Sequence, residues 1–234
     1  MVAVVVKLGR REEAKAERRR RIIAAARDLI RQTNDTNLSM RTIAKKAKVS
    51  LATPYNLFGS KRDIVLAIMQ VDERDFDERF AELHPGNALD HVFQALSLAL
   101  GYYTADPDFY RTLWRALLDT YGKGGASFSR PERRAHSHAL WRGLLERAQR
   151  EGYLERSVSA DALERSLAHT FNGVMLSWIF GAIDTDQMLP AAGYGYGLML
   201  QGAATRAGRE RIAKKTAMFE KAMTRRTRRA LAAA

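Results

Sequence analysis

The chain of 234 residues contains no cysteine. That excludes disulfides, thiolate metal sites and cysteine nucleophiles together, and it suits a reducing compartment. Long apolar runs are missing as well. None approaches the roughly 18–20 residues that span a bilayer, and the apolar start, Met1–Val6, is shorter than the core of a secretory signal. The expectation is a cytoplasmic protein without a membrane partner, its first residues forming a frayed or strand-like arm. Prolines number only five and no Gly/Ser-rich stretch occurs, which leaves little room for long linkers. With 46% hydrophobic and 28% charged residues, disorder is excluded too.

What is present in excess is positive charge, and it is segregated. Residues 1–62 hold 16 Lys/Arg against 5 Asp/Glu, residues 63–205 hold 13 against 19, and residues 206–234 hold 10 against 2. The formal charge of +13 is thus a basic head and a basic tail around an acidic middle. A head of this kind meets a polyanion while the middle does something else. Charge alone does not choose between nucleic acid and an anionic membrane surface.

Helical periodicity dominates the chain. A first helix is expected from Glu12 to Gln32, with Ile22, Ile23, Ala26, Leu29 and Ile30 as its apolar stripe. Asn34–Asn37 is a polar break. Ser39 caps a short helix reaching about Ala47, Lys48 and Val49 turn, and Ser50 caps a second short helix ending near Leu57. Ser60 and Asp63 form a capping-box pattern that opens a long helix toward Leu83. The small core of this head is Ile22, Ala26, Leu29, Leu38, Ile43, Ala44, Ala47, Val49 and Phe58. Further helices are expected from Asn87 to Thr104, from Pro107 to Tyr121 (stopped by Gly122, Gly124 and Gly125), from Pro131 to Glu151, and from the Ser159 cap to Ile183. Asp184–Ala192 reads as loop, and helices from about Tyr194 close the chain. The fold class is therefore all-α, with a basic domain over residues 1–62 and a helical-bundle domain over residues 63–234.

The stretch from Ile43 to Lys61 has the parts of a helix-turn-helix. Ala44 and Ala47 let two helices approach across a tight turn, Val49 plugs the angle, and the second helix follows. The major groove of B-DNA, about 12 Å wide, accepts one such helix, whose N-terminal residues face base edges. Here those are Leu51 to Asn56.

Ile43, Ala44, Ala47, Val49, Ser50, Thr53, Tyr55, Phe58, Ser60, Lys61 and Ile64 sit at the spacing of a known pattern. From Ile22 to Ile64 the chain resembles the DNA-binding domain of the tetracycline-repressor (TetR) family. Two positions depart from it. Lys48 stands where the family usually has glycine, at a left-handed position, and adds a cation beside the phosphates. Pro54 stands inside the short recognition helix. The resemblance implies that Thr53, Tyr55 and Lys61 contact phosphates, that Arg41 reaches a base, and that Leu51, Ala52 and Asn56 lie where sequence is read. The basic arm Arg10, Arg11, Lys15 and Arg18–Arg21 either reaches an adjacent groove or is a solvated face.

The same resemblance implies a sequence-specific transcription regulator, a repressor released from a palindromic operator in double-stranded DNA by a small-molecule effector. Candidates for an effector pocket are Phe109, Leu113, Trp114, His169, Asn172 and Met175. The helix from Ser159 to Ile183 is apolar on more than one face; with a helix near Met199–Ala213 the resemblance implies a homodimer interface, while the pattern alone also fits a single buried core helix. The alternatives are a charge-driven, non-specific nucleic-acid binder and a helical enzyme, for which no catalytic set is recognisable. No metal site is expected either, because His136 and His138, two apart on a helix, point to different sides. No cofactor is implied.

Overall fold

The computed structural model describes residues 9–36, 38–121 and 131–233. Among them are ten α-helices: α1 (Arg10–Thr33), α2 (Met40–Lys46), α3 (Ala52–Phe58), α4 (Lys61–Ala81), α5 (Ala88–Ala105), α6 (Pro107–Tyr121), α7 (Pro131–Arg150), α8 (Ala160–Ile179), α9 (Met188–Gly202) and α10 (Arg206–Ala233). The all-α class holds; the described residues add only a 3-10 turn at Thr185–Gln187 and an isolated antiparallel bridge between Leu154 and Ala204. The arm at Met1–Val6, Asn37 and the glycine stop at 122–125 lie outside the described residues. No helix among those described is long and apolar enough to cross a membrane.

The helices form two compact units, Met1–Arg74 with Asp108–Gly125, and Asp75–Pro107 with Ala126–Ala234. In the first unit, α1 buries Ile22, Ala25, Ala26 and Ile30 on one stripe, against Ile43, Ala44 and Ala47 from the second helix and its end, and Ile64, Val65 and Ile68 from α4. Leu29, Leu38, Val49 and Phe58, expected in this core, are half-buried at its rim. The unit also includes α6 beyond its first residue. Asp72 of α4 accepts from the Arg27 guanidinium of α1 and, at 2.9 Å, from the Tyr110 hydroxyl of α6. The guanidiniums of Arg27 and Arg31 lie 5.3 and 5.0 Å from the centre of the Phe109 ring. Phe109 and Leu113 are fully buried.

The second unit is built on α5, α7, α8, α9 and α10. Its core takes Leu89, Val92, Phe93 and Leu96 from α5, Leu144 and Leu145 from α7, Leu167, Met175 and Trp178 from α8, and Ala192, Tyr196 and Leu200 from α9. α10 adds Ile212 and Phe219. A buried carboxylate, Glu164, is held by His138 Nδ1 at 2.8 Å. Burial and then the Glu164 charge push the nearby Tyr196 phenol well above its ordinary range.

Three boundaries in this unit differ from the sequence expectation. α8 stops at Ile179, four residues early, because Gly181 turns left-handed (φ 76°) and the Ala182 N–H returns to the Ser177 carbonyl at 2.8 Å. The loop expected up to Ala192 is shorter, since α9 begins at Met188 after a capping box made by Asp184 and Gln187. Pro190 is no obstacle, for it is the third helical residue, where the N–H has no partner within the helix. Finally, the helix expected over Met199–Ala213 is interrupted. The chain opens at Ala203–Thr205 so that the Glu155 N–H donates to the Ala203 carbonyl at 2.9 Å and the Thr205 N–H to the Tyr153 carbonyl at 3.1 Å.

Candidate nucleic-acid interface

The interface candidate is built around the turn between α2 and α3. Ser39 caps α2 as expected, its hydroxyl accepting from the Thr42 N–H at 3.0 Å. At the other end the Lys48 N–H donates to the Lys45 carbonyl (3.2 Å) and the Val49 N–H to the Ala44 carbonyl (3.0 Å). That is the paired hydrogen bonding of a Schellman cap, which requires a left-handed residue between them. Lys48 takes that position, with φ 53°. A lysine there costs about 1 kcal/mol relative to glycine.

α3 has two unlike faces. Leu51, Ala52, Tyr55 and Asn56 are exposed, Tyr55 at 52% and Leu51 at 45%. Pro54 is buried and Leu57 and Phe58 are half-buried. The proline is the third residue of the helix, so its missing N–H costs little and its ring packs. Ser50 does not cap α3 with its side chain. Its hydroxyl pairs with the Thr53 hydroxyl at 2.8 Å and its carbonyl accepts the Thr53 N–H at 3.0 Å, while Leu51 is already helical. Gly59 ends α3 at φ 83°, and Ser60 starts α4 by accepting from the Asp63 N–H at 3.2 Å. The Asp63 carboxylate in turn accepts the Ser60 hydroxyl at 2.5 Å.

Electrostatics favour an anion over this surface. No acidic residue occurs between Asp35 and Asp63. Arg41, Lys45 and Lys48 are exposed, Lys61 is half-buried at the start of α4, and Thr53 is half-buried beside Tyr55. Lys46 is turned away, toward Gln32 (3.2 Å) and Asp28 (3.9 Å).

The basic arm is part of α1 from Arg10 onward, and its arginines are not equivalent. Arg19 donates to the Leu57 carbonyl at 2.5 Å and lies over the Phe58 ring, 4.2 Å from its centre. It therefore mounts the C-terminal end of α3. Arg20 is paired with Glu17. Sequence reasoning treated Arg18–Arg21 as one run and missed this role. The signal was its register, because Arg19 stands three residues before Ile22 and so continues the stripe by which α1 faces the head core.

Residues 22–68 match the family model described as bacterial regulatory proteins, tetR family. The head is therefore similar to that of tetR-family proteins. Solved structures of tetR regulators share the fold of the chain beyond the head. One is a TetR transcription regulator from Haloarcula marismortui, 14% identical, with 81% of this chain and 100% of that one covered at a TM-score of 0.66. Another is full-length native TylP, a tetR regulator from Streptomyces fradiae, 21% identical over 92% and 94% of the two chains, TM-score 0.57. A third is the TetR-family protein CprB from S. coelicolor A3(2), at 19% identity, 87% and 97% coverage and TM-score 0.59. No curated protein matches the sequence.

The six residues expected to line an effector pocket divide between the two units of this tetR-like chain. Phe109, Leu113 and Trp114 belong to the unit that contains the head, the first two buried and Trp114 half-buried. His169, Asn172 and Met175 are on α8, where Met175 is buried and His169 and Asn172 are exposed.

Proposed function

We propose that the protein reads a palindromic operator as a homodimer and represses transcription until a small-molecule effector releases it. The observation that carries the reading is the exposed face of α3 beside Arg41, Lys45 and Lys48, on a head without acidic residues from 36 to 62. In this reading Thr53, Tyr55, Lys48 and Lys61 hold phosphates and fix the register. Arg41 contacts a base edge, and Leu51, Ala52 and Asn56 meet the major groove.

One seven-residue helix reads too few bases for useful specificity, whereas a two-fold dimer reads two half-sites. The outer face of α8 supports such a dimer. Leu176 (39% exposed) and Phe180 (71%) stand on or just after α8, with Leu198 (50%) on α9 and Met218 (59%) on α10. A buried inner face and an apolar outer face on the same helix are what a bundle-type subunit contact needs. Effector release follows from unequal affinity for two conformers, with Phe109, Leu113, Trp114, His169, Asn172 and Met175 as its candidate contacts.

Selection of bound duplexes from a random DNA library at near-physiological salt tests the reading. Enrichment of a palindrome is the expected result. Binding without enrichment, fading as salt rises, would leave only a charge-driven binder.

A further inference from the structure

By itself α3 cannot keep its place. It has seven residues, no side-chain cap at its start and a proline as its third residue, and a helix so short takes its stability from what it packs on. Pro54, Leu57 and Phe58 supply an apolar underside. Apolar packing is non-directional, so it sets the depth of α3 more than its angle. At the C-terminal end the Gly59 N–H closes on the Tyr55 carbonyl at 2.8 Å. The Leu57 carbonyl, another of the four that a helix leaves open there, accepts from Nη1 of Arg19 at 2.5 Å. The same guanidinium covers the Phe58 ring, 4.2 Å from its centre. One half-buried side chain, 38 positions earlier in the chain, thus grips α3 by a directed hydrogen bond and by a stacked plane. It also places a cation at the negative end of the helix dipole. Among the described residues no carboxylate pairs with Arg19, whereas Arg20 beside it is held by Glu17 at 2.5 Å.

We propose that Arg19 is a positioning residue for operator recognition: it fixes the angle at which α3 presents Leu51, Ala52 and Asn56, and so sets base preference without touching DNA. This rests on the operator reading above. Contacts to base edges are directional and fail on small misplacement, whereas attraction to phosphates is long-ranged and tolerant. A loosened α3 therefore loses discrimination before it loses grip. An arginine in a basic arm would ordinarily count as a phosphate contact, but here Nη1 and one face of the plane are occupied within the chain.

The test begins with Arg19→Met, which keeps an apolar stem and removes the donor and the plane. Affinities for the palindrome selected by the full chain and for a random-sequence duplex are measured from about 50 to 200 mM salt, below the melting transition of each variant. Expected is a fall on the order of tenfold in the ratio of the two affinities, with the salt slope on the random duplex unchanged. Arg19→Lys keeps the charge but has no plane to stack, so it should recover only part of the ratio. Phe58→Leu takes the ring from under the guanidinium and should lower the ratio too. The double variant should lose less than the product of the two single losses, because the groups act together. A slope shallower by about 2 per dimer, with both affinities lowered alike, would make Arg19 a phosphate contact and overturn the proposal. A lower melting temperature with the ratio intact would overturn it as well, leaving Arg19 a prop for the fold alone. Should Arg19→Met not fold, Arg19→Lys and Phe58→Leu decide by the same ratio, and an intact ratio in both overturns the proposal. If the full chain selects no palindrome, the operator reading has failed and the proposal falls with it. A palindrome bound with equal preference by Arg19→Met overturns the proposal and leaves that reading standing.

Discussion

At Lys48 one residue meets two opposed demands. The cap between α2 and α3 needs a left-handed residue, which glycine adopts freely, and under the operator reading the surface there gains from a cation. Lys48→Gly should therefore stabilise the chain by up to about 1 kcal/mol while weakening DNA binding, as read by urea unfolding and by duplex titration. A variant that loses stability would show that Lys48 makes contacts outweighing its backbone strain. Under the operator reading, Tyr55 and Arg41 separate positioning from reading. Tyr55→Ala should weaken binding to every duplex alike, whereas Arg41→Ala should relax preference at one operator position, by about 1–3 kcal/mol against the wrong base. Unchanged affinity and base preference in both folded variants would remove these residues from the interface.

Among the elements, the head was legible from sequence because local rules decide it. Ser39, the polar break after α1, and Ser60 with Asp63 each act within a few residues of themselves, and the structure places α1 to α4 within a few residues of expectation. The end of the chain was less legible because distant contacts decide it. α9 holds Pro190 and four glycines, and its first five residues fall in the stretch that reads as loop. Yet a Cβ on Gly197 would stand 2.2 Å from Thr216 Oγ1 and one on Gly193 2.6 Å from the Phe219 ring, so these glycines mark a close approach to α10. Likewise the break at Ala203–Thr205 is fixed by backbone partners some fifty residues earlier, which periodicity does not reveal. For the candidate interface, the exposed face of α3 followed from spacing, whereas the Arg19 contact depended on tertiary packing. Gly208 gives a sharp test. A Cβ there would meet the Tyr153 carbonyl oxygen at 2.0 Å, and backbone cannot swing aside as a side chain can. Gly208→Ala should cost about 2 kcal/mol or more in urea unfolding. A near-neutral result would mean that the Tyr153 turn is free to shift.

For the whole molecule, stability should lean toward neutral pH. Burial holds His91 below its ordinary 6.5, helped by Arg147, and both ring nitrogens are shielded without a hydrogen-bond partner among the described residues. Its neutral ring stacks on Phe80, 4.6 Å between centres. Burial opposes ionisation of Asp90 and Glu151, yet Lys215 and Asn87 hold the first below its usual range, and the Ala88 N–H with Arg147 holds the second. In all three cases the unfolded chain binds protons more readily, so stability is fully present above the unfolded values and is lost as pH falls. The His91 part begins to go below about pH 6.5 and the carboxylate part near pH 4. Melting temperature followed from pH 8 to 4 in His91→Phe should lack the first decline; an unaltered profile would clear His91. Phe180→Asp, at a side chain 71% exposed, should leave folding intact but shift sedimentation from dimer to monomer and abolish palindrome binding. A dimer that persists would place the subunit contact elsewhere. The two faces of α3 carry a last consequence. Pro54, Leu57, Phe58 and Arg19 mount the helix, while Leu51, Ala52, Tyr55 and Asn56 face outward, so address and mounting are written in different letters. Under the operator reading, a chain of this design can be redirected to new genes by rewriting the outward letters, while whatever its body senses is left untouched.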